Sequence, residues 1–257
     1  MSRKLYRQER LTLILDKLQQ TGYVSVSELS EDLGVSAVTI RTDLDSLEAE
    51  GQLQRTHGGA VPLRTSDEVL SFSARQRAQT EIKDRIGEAA AGLVSDGDAI
   101  VLDASTTAWH MARHLLSHRD LVVVTTGLHV AVELLRGPGI NVFMPGGQIS
   151  RDSGAVVGEP LTTPPEGTNL HSIFYSGQGF SIEAGLTDPN RDEAQLKSSF
   201  VRPGRELTVM VDSSKFGKVA FATVATLDQV QRVITDAAAP AEMLDALRDR
   251  GIGVLVV

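Results

Sequence analysis

The first sixty residues carry apolar positions at the spacing of three short helices. These inward-facing positions recur three or four residues apart, and they are Leu11, Ile14, Leu15 and Leu18, then Leu29 and Leu33, then Ile40, Leu44 and Leu47. Gly34 lies in a tight turn between the second and third helices. Ser25 or Ser27 is placed to cap the second helix, and Ser36 to cap the third. The pattern predicts a helix-turn-helix.

The third helix, predicted over 36–50, presents short polar and cationic side chains away from its apolar stripe. Those near its start are Ala37, Thr39, Arg41 and Thr42. A second helix that displays such side chains near its N-terminus is the arrangement that reads base edges in the DNA major groove. The bare pattern leaves open a three-helix packing module that does not bind DNA.

Residues 52–61 alternate like a small hairpin that bends at Gly58-Gly59. Arg55 and His57 in this hairpin are available for phosphate or minor-groove contacts. The hairpin completes a predicted winged helix-turn-helix domain over residues 1–62.

After a predicted polar linker over 63–80, the pattern changes to short β-rich apolar runs alternating with helical stretches. The predicted strands are 99–102, 121–124, 141–144, 173–175, 207–211, 233–235 and 254–257, and the predicted helices are 81–94, 107–116, 128–136, 192–200 and 241–250. Such alternation is typical of an α/β domain, here 81–257, with an open, mostly parallel sheet and helices on both faces.

Small, polar or glycine-rich loops follow the predicted strands. The candidate ligand-binding residues in them are Asp103, Ser105, Thr106, Thr107, Thr125, Thr126, Gly127, Gly146, Gly147, Gly177, Gly179, Asp212 and Lys215. Ligands of open α/β sheets bind outside the carboxyl ends of the strands. Residues 105–107 suit a phosphate, Lys215 adds a cation, and Asp103 and Asp212 suit sugar hydroxyls. Any single loop can instead be explained as a helix cap, but several on one edge favour a site.

Composition and charge narrow the function classes. The chain has no cysteine, which excludes disulfides, thiolate metal sites and cysteine nucleophiles and suits a reducing compartment. The start lacks a signal-peptide pattern, and no apolar run approaches the roughly 18 residues of a membrane span, so a cytoplasmic protein without a membrane partner is expected. Residues 1–64 hold 8 Lys and Arg against 9 Asp and Glu, so DNA binding must rely on individually placed residues.

A metal site is suggested by His110, His114 and His118, which recur four residues apart on one predicted helix. The buried stripe of that helix is predicted to be Ala108, Met111, Ala112 and Leu115. The histidines are therefore expected largely on its solvent side, with Trp109 packing beside them, and neither a metal nor a cofactor is expected.

Residues 24–60 closely resemble the DNA-binding domain of the DeoR family of bacterial regulators, most specifically at Arg55-Thr-His-Gly-Gly-Ala. The resemblance implies base and phosphate contacts from Ser36, Thr39 and Arg41, with Arg55 and His57 in the wing. Ser25 and Thr42 complete the set of candidate DNA-binding residues. The family usually has a second Arg where this chain has Thr42. One phosphate-contacting cation fewer flattens the log–log salt dependence of DNA binding by about 0.9.

The second domain resembles the sensor domain of the same family. The residues that carry this resemblance are Asp103-Ala-Ser-Thr-Thr, Val124-Thr-Thr-Gly, Gly146-Gly-Gln-Ile-Ser-Arg with Gly158, Gly185-Leu-Thr, Glu193 with Lys197, and Asp212-Ser-Ser-Lys-Phe-Gly. The resemblance implies the fold of ribose-phosphate isomerase and the CoA transferases, and a phosphorylated sugar as effector. It assigns the phosphate to residues 105–107 and Lys215, and adds Glu193 and Lys197 to the site.

Three departures from the family pattern lie near that site and leave the effector open. Ser105 replaces a usual Gly, Thr126 a usual Asn, and His171-Ser172 a usual Asp-Lys.

The expected protein is a repressor of a carbohydrate-catabolism operon that a sugar phosphate releases or resets. A homo-oligomer, dimer or tetramer, on repeated or palindromic half-sites is expected because one module contacts too few bases. The alternative is a sugar-phosphate isomerase-like enzyme with a fused DNA-binding domain. It would use Asp103, Glu193, Asp212 and Lys215 as acid, base and cation. A catalytic protein has no use for the first domain, so no enzymatic activity is expected.

Overall fold

A computed structural model of the chain describes residues 7–21, 24–50, 52–56, 58–61, 72–158 and 170–257. The chain divides into two compact units, Met1–Glu68 and Val69–Val257. Each unit has its own apolar core.

Three helices and a small sheet form the first unit. Its elements are α1 (Arg7–Thr21), β1 (Val24–Ser25), α2 (Val26–Leu33), α3 (Ala37–Ala49), β2 (Gln54–Thr56) and β3 (Gly59–Val61). The apolar stripes of the three helices meet in one core that includes Ile14, Leu29 and Ile40. Gly34 ends α2 with a positive φ of 64°, a conformation that glycine adopts without strain. The predicted helix-turn-helix is confirmed.

The hairpin β2–β3 is extended by β1 into a three-stranded antiparallel sheet in the order β1-β3-β2. Gly59 lies where β1 and β3 meet, and a Cβ there would come within 1.9 Å of the Val24 carbonyl oxygen. Close pairing of the two strands therefore requires glycine. This sheet is the predicted wing, and His57 at its bend lies outside the described residues.

A seven-stranded parallel sheet is the centre of the second unit. Its strands are β4 (Ala99–Leu102), β5 (Leu121–Thr125), β6 (Ile140–Phe143), β9 (Ser172–Tyr175), β12 (Glu206–Met210), β14 (Arg232–Thr235) and β15 (Gly253–Val256). They lie in the order β15-β14-β12-β9-β4-β5-β6. All seven were predicted, to within one residue at each end.

Helices cover both faces of this sheet, as predicted. They are α4 (Phe72–Arg77), α5 (Thr80–Ala91), α6 (Thr106–His114), α7 (Leu128–Leu134), α8 (Arg191–Phe200) and α9 (Ala241–Asp249). One core lies between the sheet and α5, α6 and α7, and a second lies between the sheet and α8 and α9. No described helix has both the length and the apolar character needed to cross a bilayer.

Short antiparallel strands that the sequence analysis did not predict lie outside the main sheet. They are β7 (Gln148–Ile149) with β8 (Val156–Val157), and β10 (Gly179–Ser181), β11 (Gly185–Asp188) and β13 (Ala222–Ala225). Strands β10 and β11 follow directly from the loop after β9. The loop between β9 and β10 therefore lies at the carboxyl edge of the main sheet.

Residues 63–71 of the predicted linker lie outside the described residues, and the prediction is wrong in its second half, because residues 72–77 form α4. Phe72 is buried, and its ring stacks on His129 with 4.0 Å between ring centroids. Its backbone N–H donates to the Asp152 carbonyl at 2.9 Å. The polar run that resembled a linker is thus a helix of the second unit.

The prediction that the histidines of α6 face solvent is wrong for His110, which is 1% exposed. Its Nδ1 lies 3.0 Å from the Asp84 carboxylate, and His114 reaches the same carboxylate at 3.2 Å. Helix α5 covers this side of α6 and supplies that partner. Burial lowers the pKa of His110, although Asp84 opposes the shift. Within the described ranges no group of three such side chains is arranged to hold a metal.

Candidate DNA-binding face and effector site

The N-terminus of α3 is built as a capped helix start with an exposed outer face. The Ser36 hydroxyl accepts a hydrogen bond from the Thr39 N–H at 3.2 Å and lies 2.9 Å from the Thr39 hydroxyl. Arg41 and Thr42 are exposed, and the Thr42 hydroxyl donates to the Val38 carbonyl at 3.1 Å. The Arg41 guanidinium is therefore available to a partner outside the chain.

A buried ion pair on the opposite side of α3 holds that helix against α1. The Arg10 guanidinium donates to both oxygens of Asp43, at 2.7 and 3.0 Å, and the two side chains are 11% and 2% exposed. A bidentate pair fixes orientation as well as distance. The direction in which Arg41 points thus depends on a contact two residues further along the same helix.

The wing residue Arg55 is engaged within the unit. Its guanidinium donates to the Asp45 carboxylate at 3.0 Å and to the Gly59 carbonyl at 2.8 Å. Ser25 caps α2 by accepting from the Glu28 N–H at 3.1 Å. Contact of Arg55 with a DNA phosphate stays a prediction, and it would compete with the Asp45 pair.

Val38 is an exposed residue of α3 that the sequence analysis did not select. Its side chain is 69% exposed beside Thr39, on the face away from the core. An apolar group on a recognition helix is suited to the methyl group of thymine. The sequence did contain a signal for Val38, because this apolar residue falls outside the inward-facing stripe of the helix.

The switch point of the parallel sheet lies between β4 and β9, and Asp103 joins the loops that follow them. One oxygen of its carboxylate accepts from the Ser105 N–H at 3.1 Å and hydroxyl at 2.6 Å. The other accepts from the Ser176 N–H at 2.9 Å and lies 2.8 Å from the Lys197 ammonium. These contacts use the acceptor positions of a carboxylate. A direct contact of Asp103 with a sugar hydroxyl stays a prediction, and it requires that one of these hydrogen bonds break.

Lys197 is a buried cation paired with two carboxylates. Its ammonium lies 2.7 Å from Asp188 as well as 2.8 Å from Asp103, and it donates to the Ser176 carbonyl at 2.6 Å. Burial by itself lowers the pKa of Lys197, but the two carboxylates outweigh burial and raise it. Lys197 therefore stays charged and ties α8 to the rim of the sheet.

Glu193 lies one turn before Lys197 on α8. Its carboxyl group accepts a hydrogen bond from the buried Ser153 hydroxyl, which brings the loop after β7 to the same rim. Burial raises the pKa of Glu193, and the bond from Ser153 opposes that shift.

The start of α6 retains free donors after it is capped. The Ser105 hydroxyl accepts from the Ala108 N–H at 3.0 Å, which is the helix-cap role. Thr106 and Thr107 occupy the first two helical positions, whose N–H groups have no acceptor within the helix. An anion placed here gains from both the donors and the helix dipole.

Lys215 supplies a cation at the end of β12. Its ammonium donates to the Gln178 side-chain oxygen at 3.0 Å, and no carboxylate of the described chain lies within 4 Å. Burial lowers the pKa of Lys215, and the nearby charge of Asp212 opposes the shift. Asp212 itself accepts from the N–H and hydroxyl of Ser214. Lys215 therefore has a neutral partner and remains available to an anion.

The rim glycines allow close packing between loops. A Cβ on Gly127 would come within 2.6 Å of Ala104, and one on Gly179 within 2.4 Å of the Lys218 carbonyl oxygen. A Cβ on Gly177 would come within 2.7 Å of the Leu186 side chain. The other predicted residues of these loops are Thr125 and Thr126, both buried, and Gly146 and Gly147 after β6. Direct ligand contacts of these residues stay predictions.

Lys83 is a second rim cation that the sequence analysis missed because it lies on an amphipathic helix. It is 6% exposed, and burial lowers its pKa to about 8, with the charge of Lys215 acting in the same direction and that of Asp212 opposing. Its ammonium donates to the Arg75 carbonyl at 2.5 Å and to the Ala78 carbonyl at 2.6 Å, just before the start of α5. Only the packing of α5 against the sheet brings it there.

A winged helix-turn-helix joined to an α/β domain with cations on its carboxyl rim defines a ligand-responsive DNA-binding regulator. Residues 10–65 match the DeoR-like helix-turn-helix domain, and residues 78–237 match the DeoR C-terminal sensor domain. The chain belongs to the DeoR family of transcriptional regulators. The resemblance is thereby confirmed, and the enzyme alternative is not favoured.

Two curated relatives span nearly the whole chain. The chain is 35% identical over 249 residues to the uncharacterized HTH-type transcriptional regulator YulB of Bacillus subtilis (strain 168), covering 97% of this chain and 96% of the relative. It is 31% identical over 239 residues to the glycerol-3-phosphate regulon repressor of Escherichia coli (strain K12), covering 93% and 94%. Among solved structures, a D-ribose-5-phosphate isomerase in complex with phospho-erythronic acid matches with a TM-score of 0.41 and 12% identity, covering 53% of this chain and 54% of that one.

Proposed function

We propose that the protein is a cytoplasmic repressor of a carbohydrate-catabolism operon, released from or reset on its operator by a phosphorylated sugar. The observation that carries the proposal is the pair of partly desolvated cations, Lys83 and Lys215, at the carboxyl rim of a DeoR sensor domain. A desolvated cation without a carboxylate partner favours an anionic ligand. The similarity to a glycerol-3-phosphate regulon repressor supports a phosphorylated effector.

Operator contacts are assigned to the outer face of α3 and to the wing. Ser36, Thr39 and Arg41 contact bases and phosphates, and Thr42 lies beside them. Arg55 and the wing contact the sugar-phosphate backbone of the DNA. One such domain contacts too few base pairs for specific binding, so the protein acts as a homo-oligomer, dimer or tetramer, on paired half-sites.

Effector contacts are assigned to the start of α6 and to the end of β12. The Thr106 and Thr107 amides and the Lys215 ammonium hold the phosphate. Asp103, Asp188 and Lys197 position the loops around the sugar. Closure of these loops changes operator affinity by the 5- to 150-fold that is typical of coupled sites.

Replacement of Lys215 tests this assignment. Lys215→Ala is expected to lose the thermal stabilisation that a panel of sugar phosphates gives the wild-type protein, because the phosphate loses a charge-assisted partner. Thermal unfolding of the full chain with and without each compound measures the effect, and Arg85→Ala, which removes an exposed cation of the same unit, is the control. Stabilisation of the wild type by unphosphorylated sugars alone would refute the proposed effector class.

Phosphate affinity is also expected to depend on pH. The Lys83 pKa of about 8 is below its ordinary value, and a bound dianion favours the charged ammonium, so binding takes up a proton. Inorganic phosphate is dianionic above pH 8, and its affinity is therefore expected to fall as the pH rises from 8 to 9.5. Titration calorimetry at four pH values measures the trend. An affinity that is constant over this range, or a decline that is as large in Lys83→Gln as in the wild type, contradicts the assignment.

A further inference from the structure

Arg75 is a half-buried cation, and two of its guanidinium nitrogens lack hydrogen-bond partners within the described part of the chain. It lies in α4, and its Nε and Nη2 atoms are closed to solvent with no acceptor beside them. Donors that lose water without gaining an acceptor cost free energy. The arrangement indicates an acceptor that the described chain does not supply.

Arg75 lies close to the cations of the effector site. Burial lowers the pKa of Lys83 and of Lys215, and the charge of Arg75 acts in the same direction on both. The same charge opposes the burial-induced rise in the pKa of Glu193. Charged side chains from α4, α5, α8 and the turn after β12 therefore act on one another, and the Lys83 ammonium contacts the Arg75 carbonyl directly. The charges of Arg75, Lys83 and Lys215 repel one another, and a phosphate bound among them would add to the opposing attraction of Asp212 and Glu193.

The donors of Arg75 that lack partners are the right pair for a phosphate. Nε and Nη2 are neighbours on one edge of the guanidinium plane, and together they match two oxygens of a phosphate or carboxylate group. Two further cations, Lys83 and Lys215, favour the doubly charged phosphate over a carboxylate.

Two hydrogen bonds and a ring contact hold helix α4 against the rest of the second unit. The Lys83 ammonium donates to the Arg75 carbonyl at 2.5 Å, and the Phe72 N–H donates to the Asp152 carbonyl at 2.9 Å. The Phe72 ring stacks on His129, at the start of α7. In the chain, α4 is the first described element after the DNA-binding unit.

We propose that Arg75 binds the effector phosphate through Nε and Nη2, together with Lys83 and Lys215, so that α4 forms part of the effector site. The inference rests on the proposed sugar-phosphate effector. It identifies the element on which the ligand acts: the bound phosphate holds the segment through which the chain enters the sensor domain. Effector binding and the position of that segment are then coupled.

The test compares Arg75→Gln with Arg77→Gln, an exposed arginine on the same helix. The full chain is titrated with inorganic phosphate and with the sugar-phosphate panel at constant ionic strength. Loss of a charge-assisted bidentate contact is expected to weaken binding of the wild-type ligands by about 10- to 100-fold in Arg75→Gln, with no change in Arg77→Gln. Without ligand, Arg75→Gln is expected to be at least as stable as the wild type, because it removes an unpaired cation beside two others.

Three outcomes separate this inference from the proposed function. Binding by the wild type and by Arg75→Gln within twofold of each other, with loss in Lys215→Ala, overturns the role of Arg75 and leaves the effector class intact. No binding of any phosphate compound by the wild type overturns both. A marked loss of stability in ligand-free Arg75→Gln shows a structural role and also overturns the inference.

Hydrogen exchange of the wild-type protein gives a second measurement that needs no variant. Saturating inorganic phosphate is expected to slow amide exchange in residues 72–80. Slower exchange in α6 with unchanged exchange in α4 contradicts the proposal. Arg75→Lys, which keeps the charge and loses the paired donors, is expected to bind phosphate with intermediate affinity.

Discussion

Lys197→Met is expected to destabilise the protein by about 3–5 kcal/mol, since it leaves two buried carboxylates without their cation. The Lys197, Asp103 and Asp188 side chains are 6%, 1% and 10% exposed, so solvent cannot replace the lost ammonium. Met has a similar length and occupies most of the same volume. Denaturant unfolding of the full chain, followed by circular dichroism, measures the change in the free energy of unfolding.

Two further variants show whether the charge is the cause. Lys218→Met removes an exposed lysine and is expected to change stability by less than about 0.5 kcal/mol. Adding Asp188→Asn to Lys197→Met is expected to recover part of the loss, because one unpaired charge disappears. A loss below about 1 kcal/mol in Lys197→Met, or no recovery in the double variant, is incompatible with a buried charge triad.

Arg41→Ala is expected to weaken operator binding by about 30-fold or more. A base or phosphate contact contributes about 1–3 kcal/mol, and in the proposed homo-oligomer each of the two subunits on paired half-sites loses one. Arg41 is exposed on α3, so its removal leaves the core unchanged. Gel-shift titration with promoter fragments from the neighbourhood of the gene, at fixed salt, measures the loss.

The salt dependence of the same titration identifies the kind of interaction that Arg41 makes. If Arg41 binds a phosphate, its removal reduces the log–log slope by about 0.9 per subunit, whereas removal of a base-reading side chain changes the preferred sequence more than the slope. Arg85→Ala, an exposed arginine of the second unit, is the control and is expected to bind like the wild type. Equal affinity of Arg41→Ala and wild type would remove α3 as the reading helix.

Repeating local patterns made most of the fold predictable. The inward stripe of Ile40, Leu44 and Leu47 is buried as expected, and the β-rich runs are the seven strands of the main sheet. A helix or a buried strand can be predicted from the spacing of its own apolar residues. Capping residues such as Ser36 add a local signal for where a helix begins.

Elements without such a pattern were missed. The strands β10, β11 and β13 are three or four residues long, too short for alternation to stand out. Helix α4 is polar along most of its length, and Phe72 is its one buried residue. It therefore shows no apolar stripe that would predict a helix. His110 was misplaced because its burial depends on α5, which the pattern of α6 does not contain.

The sequence by itself determined the two-domain organisation, the recognition helix and the set of loops at the carboxyl edge of the sheet, because each depends on residues that are close along the chain. Tertiary structure alone decided which charges meet. Lys197 reaches Asp103 from a helix 94 residues away, and the charges of Lys83 and Arg75 act near Lys215 across more than 130 positions. Pairing between charges depends on distance in space, and only the packing of helices on the sheet sets that distance.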